Sequence, residues 1–226
     1  MPTVNEVLSQ LKSMTNEKMY AHNIKFGAGE NQYGVKMGDI RNMANKIKSD
    51  HELALELWKT GNMEARLLGC LIVQPKKLSR QQLDEMVKSL DFTQVADWFA
   101  SYVLKEHPLK EEMMDEWLQS SNKWANRLGW SILAGRIAKH GEGVDASKLL
   151  TQLEKEMPKA VPEVQWTMNT ALAHIGIHHP AHRQRALDIG NKLGIYKDYP
   201  VSKGCTSPFA PIWINEMVKR AEGVKG

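Results

Sequence analysis

Asp97 and Arg127 are the two residues whose type and setting could do chemistry. In the run Asp91-Phe92-Thr93-Gln94-Val95-Ala96-Asp97-Trp98-Phe99-Ala100-Ser101-Tyr102-Val103-Leu104, helical spacing puts Val95, Phe99, Tyr102 and Val103 on one apolar side. Thr93, Asp97, Ala100 and Ser101 fall on the other, so the carboxylate stands among small neighbours. The next long periodic run, Asn122 to His140 and ended by Gly141, has a buried arc of Leu128, Ile132, Leu133 and Ile137. Trp124, Arg127, Ser131 and Gly135 share its remaining sector. An acid on one helix therefore has a basic and aromatic partner available on another. Such a set could steady positive charge at a reacting carbon, or a buried Asp97 could pair with Arg127 as a structural ion pair between stacked helices.

Other chemistry-bearing residues give less. His174, His178 and His182 recur every four residues, but Pro180 interrupts the helix and no carboxylate or cysteine completes a ligand set, so they read as a polar helix end and no metal is expected. Cys205 lies in a Gly-containing loop with nothing nearby in sequence to lower its pKa. Cys70 and Cys205 are the two cysteines, too few for a disulfide framework, which fits a reducing cytoplasm. No cofactor motif is present. The chain has 226 residues with 30 Lys+Arg against 26 Asp+Glu, and a pI near 8.9, a balance that permits a nucleic-acid partner without demanding one. Met1-Pro2-Thr3-Val4-Asn5-Glu6 has no basic segment followed by an apolar run, and no apolar run of about 18 residues is present, so neither secretion by this route nor a membrane span is expected.

The elements that must position these residues are all helical. Val4 to Met14 carries apolar residues at helical spacing, Thr15 reads as the cap of a second helix, and a loop with Gly27 and Gly29 precedes a helix from about Met37. Asp50, Asn62, Ser79 and Asp145 read as N-caps of later helices, and Pro162 as the first-turn residue of another. No alternating strand run interrupts the series. The expected fold is all-α, an α-α superhelix of HEAT-like helix pairs forming a single domain over 1–226, because many short helices with short connections cannot enclose one bundle core. The exception is a long loop over 195–213, holding Pro200, Gly204, Pro208 and Pro211, with a last helix from Ile214.

Tyr33-Gly34-Val35 with Ile40-Arg41, Leu57-Trp58 with Glu64, Arg66, Leu67 and Leu68, then Asp97, Trp124 and Arg127, resemble in order the DNA alkylation repair proteins of the AlkD type. That resemblance implies a curved stack of helix pairs with a basic concave face for duplex DNA. It also implies monofunctional excision of cationic N3- and N7-alkylpurines, with Asp97 and Arg127 in the catalytic positions. Thr93 and Thr170 stand where the family has cleft aromatics, leaving Trp98, Trp124 and Trp166 as nearby substitutes. The alternative it leaves open is a non-catalytic DNA- or protein-binding module on the same scaffold. The residues from Tyr199 to Trp213 resemble those of a separate branch of the family. Lys36, Arg41, Lys76, Lys77, Arg80 and Lys123 are the expected DNA contacts, with Arg66 a further basic candidate. The expected partner is double-stranded DNA with alkylated bases, bound by a monomer.

Overall fold

The computed structural model describes residues 2–139 and 143–223. Among them the regular elements are helices: α1 Val4–Ser13, α2 Glu17–Lys25, α3 Met37–Ile47, α4 His51–Lys59, α5 Met63–Ile72, α6 Arg80–Lys88 and α7 Thr93–Trp98, followed by α8 Lys110–Trp117, α9 Lys123–Lys139, α10 Ala146–Glu156, α11 Pro162–His178, α12 Arg183–Leu193 and α13 Ala210–Gly223. The expected helix end at His140 and Gly141 lies outside the described residues. The chain divides into two compact units, Met1–Glu111 and Glu112–Gly226. No helix among the described residues is long and apolar enough to cross a membrane.

Local chemistry starts these helices where the residue types say it should. Asp50, Asn62, Ser79 and Asp145 each accept the N–H three residues on, satisfying one of the donors a helix start leaves unpaired. For α2 the cap is Asn16, not Thr15: its Oδ1 accepts from the Met19 N–H at 3.0 Å, while the Thr15 hydroxyl donates backward to the Lys12 carbonyl. The last helix begins at Ala210, four residues before Ile214, because Pro211 sits in the first turn, where its missing N–H removes no helical bond.

Within Met1–Glu111 the organising element is α5. It is buried on nearly every side and packs against α1, α3, α4 and α7. Two of its polar side chains go inward. Glu64 is fully buried and accepts three backbone N–H groups, from Tyr33 at 3.0 Å, Gly34 at 2.7 Å and Val35 at 3.1 Å. Arg66, a candidate for phosphate contact from its type alone, is also buried. It donates from Nε to the Trp58 carbonyl at 3.3 Å and from Nη1 to Asp91 at 3.1 Å. Gly34 has φ +70, and a Cβ there would meet the Asn16 carbonyl oxygen and the Tyr20 nitrogen at 2.5 Å, so only glycine fits the crossing.

After α7 the chain continues through a π-helical segment, Phe99–Leu104, in which the Lys105 N–H bonds to the Ala100 carbonyl at 3.0 Å. The wider turn changes which residues face inward. Val95, Phe99 and Val103 are buried as a 3.6-residue repeat predicts, but Tyr102 is 42% exposed and Leu104 is buried. In Glu112–Gly226, α9 packs chiefly on α11, and both helices are buried on several sides. This corrects the placement of Arg127 and Trp124 in a polar sector: they are 2% and 5% exposed. The helix α13 lies so close to α11 that a Cβ at Gly176 would overlap the Ile214 side chain.

Replacing Glu64 by Ala leaves three buried donors without an acceptor. The expected loss is about 3 kcal/mol or more, at about 1 kcal/mol or more for each donor. Urea unfolding followed by circular dichroism measures it, and an unchanged midpoint would refute the role given to this carboxylate.

Candidate nucleic-acid interface

In Met1–Glu111 the chemistry gathers where α3 meets the end of α7. Asp97 is exposed. Its neighbour Trp98 shows 8% of its surface, and the guanidinium of Arg41 lies over the indole, 4.7 Å from the ring centroid. Tyr102 follows one turn on, its ring 5.4 Å from that of Trp98. Cation–π contact of this kind is worth about 0.5–2 kcal/mol, and it fixes the position of the Arg41 guanidinium against α7. Lys36, at the N-cap of α3, is exposed, as are Lys76 and Lys77 on the short 3₁₀ turn Pro75–Lys77. Arg80 is engaged with Asp84 at 3.0 Å, one helical turn away, a half-exposed pair of small energetic weight. Thr93 is half-buried in the first turn of α7.

A second group forms in Glu112–Gly226, where the first turns of α9 and α11 come together. Arg127 donates from Nη1 to the Glu163 carbonyl at 2.6 Å. Lys123 pairs with the Glu163 carboxylate at 2.6 Å and lies over Trp124, 4.9 Å from the ring centroid. The hydrogen bond from Lys123 holds the Glu163 carboxyl below the usual carboxylate range, against the opposing effect of partial burial. One turn further along α11, Trp166 meets two tyrosines from the segment after α12, with centroids 5.2 Å from Tyr196 and 5.6 Å from Tyr199; the tyrosines are 5.7 Å apart. Burial pushes the Tyr196 hydroxyl up to about 12, while Arg127 pulls the other way. Thr170 donates its hydroxyl to the Trp166 carbonyl at 3.0 Å, turning it back into its own helix.

The residues singled out in the sequence thus divide between the two units. Thr93, Asp97, Trp98, Lys36, Arg41, Lys76, Lys77 and Arg80 belong to the first, and Lys123, Trp124, Arg127, Trp166 and Thr170 to the second. Asp97 is exposed, so it is not the buried member of a structural ion pair. Residue types did not single out Glu163, Tyr196 or the outward turn of Tyr102. Two aromatics three apart just after the Gly194 helix end were the available signal for the tyrosine pair. His174 and His178 pack ring to ring at 5.7 Å, and His174 Nδ1 lies 2.8 Å from the Ala134 carbonyl. Burial, with His174 and His179 nearby, lowers the His178 pKa. No group of three His, Cys, Asp or Glu side chains suited to a metal occurs among the described residues. Cys70 is buried in α5, which raises its thiol pKa, and Cys205 is exposed in the loop before α13.

The sequence pattern of the DNA alkylation repair enzymes matches residues 7–207. The chain belongs to that family. Among similar proteins are two uncharacterised proteins of Listeria. The protein of Listeria innocua is 25% identical over 166 residues, 72% of this chain and 72% of its own length. That of Listeria monocytogenes is 23% identical over 194 residues, 84% of this chain and 85% of its own. A solved structure, from a new family of proteins related to the HEAT-like repeat DNA glycosylases with affinity for branched DNA structures, matches with a TM-score of 0.80. It is 23% identical, and the match covers 97% of this chain and 95% of that one. The all-α fold of this family member is accordingly of the HEAT-like repeat kind.

Tyr196 gives the site a pH signature. Its folded-state pKa of about 12 lies above the ordinary 10, so its contribution to stability is fully present below pH 10 and is lost as pH rises toward 12. Wild type should lose more stability than Tyr196→Phe across that interval, as read from urea midpoints at each pH. Equal losses would mean the hydroxyl is not buried.

Proposed function

We propose that the chain binds duplex DNA and hydrolyses the N-glycosidic bond of cationic N3- or N7-alkylated purines. A purine alkylated at these positions carries positive charge and leaves as a neutral base when its bond to the sugar breaks. The sugar then develops oxocarbenium character, and a carboxylate beside it stabilises that charge or orients the attacking water, which bonds to the anomeric carbon and gives its proton to solvent. The observation that carries this reading is the exposed Asp97 beside Trp98, with the Arg41 guanidinium stacked on that indole. Carboxylate and phosphate-binding cation thus come from one compact unit; the Trp98 indole is buried under Arg41, and Tyr102, 42% exposed beside it, is the ring open to a base. Lys36, Lys76 and Lys77 extend the positive charge for the backbone. Arg127 is buried and bonded to the Glu163 carbonyl, so we assign it to holding the first turn of α11 against α9.

A second reading, a DNA-binding member without excision chemistry, is favoured by Thr93 and Thr170. Each stands where the resembled enzymes have an aromatic, and Thr170 has spent its hydroxyl on its own helix. The solved relative with affinity for branched DNA structures fits the same reading. Losing two aromatic contacts to a cationic base would remove about 1–4 kcal/mol, up to almost a thousandfold in rate.

Single-turnover release of 7-methylguanine and 3-methyladenine from methylated duplex DNA decides between them. Release above spontaneous depurination that falls at least tenfold in Asp97→Asn supports the enzyme. No release by wild type, with salt-dependent duplex binding retained, supports the binding module.

A further inference from the structure

The segment joining α12 to α13 carries a feature that neither helix packing nor the proposed excision step uses. The Lys197 N–H bonds to the Gly194 carbonyl at 3.1 Å and the Tyr199 N–H to the Tyr196 carbonyl at 3.2 Å, so the chain makes two successive turns there. Tyr196 sits in the left-handed region, with φ +63, a conformation that a bulky aromatic residue adopts only where its surroundings compel it. The result brings the rings of Tyr196 and Tyr199 onto Trp166, three aromatics in mutual edge or tilted contact. The far end of the segment is pinned as well, because Asn169 of α11, itself buried, donates to the Pro208 carbonyl at 2.8 Å. The turns therefore hold an aromatic group that is only partly covered: Tyr199 is 43% exposed, and Trp166 and Tyr196 are half-buried.

Charged residues border this group on the same segment: Lys197 and Asp198 stand between the tyrosines and Lys203 follows, all exposed, and the Arg127 guanidinium is close enough to act on the Tyr196 hydroxyl. A partly exposed aromatic surface with positive charge beside it suits a π-face attached to a phosphate. Paired bases keep their faces inside the stack. An unpaired nucleotide presents one.

We propose that Trp166, Tyr196 and Tyr199 form a stacking platform for an unpaired nucleobase of DNA, with Lys197 and Lys203 on the adjoining phosphates. The platform rests on the reading that this chain binds DNA and adds the class of DNA it prefers: a duplex that carries unpaired nucleotides. Tyr199 supplies the exposed ring. Stacking uses its face, so the hydroxyl is dispensable.

The test is fluorescence anisotropy at one fixed salt concentration, with a labelled, fully paired duplex and the same duplex carrying a single-stranded flap. Wild type should bind the flap DNA more tightly. Tyr199→Ala should weaken flap binding by about fivefold to a hundredfold and leave paired-duplex binding unchanged. Tyr199→Phe should behave as wild type. Because Tyr199 is exposed, the Ala variant should keep its fold, and unaltered duplex affinity reports that directly. Equal affinity of wild type for the two DNAs, or an equal effect of Tyr199→Ala on both, would overturn the platform while leaving duplex binding intact. Failure of wild type to bind either DNA would instead overturn the DNA-binding reading, and the platform with it.

Discussion

A buried carboxylate fixes the course of the chain into the first of the two site regions. Glu64 is closed from solvent and takes the N–H groups of three consecutive residues, Tyr33, Gly34 and Val35. Burying an unpaired carboxylate costs several kcal/mol; three charge-assisted bonds at about 1.5–3 kcal/mol each offset that cost. The balance holds only if all three donors converge, so the segment between α2 and α3 has one path. Gly34 allows that path to pass against the start of α2, where any Cβ would strike backbone. The start of α3 is thereby set, and with it the positions of Lys36 and of Arg41, whose guanidinium reaches the Trp98 ring. A side chain on α5 thus positions a cation on α3 without touching it.

The π-helical segment after α7 is the second constraint. Widening the turn between Phe99 and Leu104 keeps Phe99 and Val103 inside, buries Leu104, and turns Tyr102 outward beside Trp98. A continuous α-helix of the same sequence would have sent Tyr102 toward the core and removed the exposed aromatic next to Trp98. Departures of this kind interrupt regular hydrogen bonding, and they concentrate where a surface has work to do.

Helix starts were legible because each is decided within four residues: Asp50, Asn62, Ser79 and Asp145 needed only a donor three positions on. All-α class followed from period alone. Side-chain roles were not legible where the partner is remote. Arg66 and Arg127 have the type of surface cations, yet both are buried, because carbonyl oxygens on Trp58 and Glu163 accept from them and Asp91 neutralises the first. Residues 127 and 163 are separated by 36 positions, and no local pattern announces a free carbonyl at such a distance. Tyr102 was misplaced for the opposite reason: the local pattern was clear, but the helix changed its period within it.

The aromatic residues show how one scaffold can shift its binding capacity along a helix. Thr170 occupies the middle of α11 and directs its hydroxyl to the Trp166 carbonyl, leaving a methyl group and no ring face for a base. Trp166, one turn nearer the helix start, carries the ring instead, and there Glu163 joins Lys123 and Arg127 to the same turn. Aromatic face, ammonium and guanidinium are therefore collected at the first turn of α11, with Tyr196 and Tyr199 closing over the indole from the following segment. Rings packed edge to face or tilted in this way leave no slot between two parallel faces for a base to enter. On the proposed platform a base would stack on the outer surface, with the phosphate beside the exposed Lys197. The proposed platform would therefore suit an accessible base rather than enclose a damaged one, and the proposed excision chemistry belongs to the Asp97 region, where carboxylate and guanidinium come from one unit.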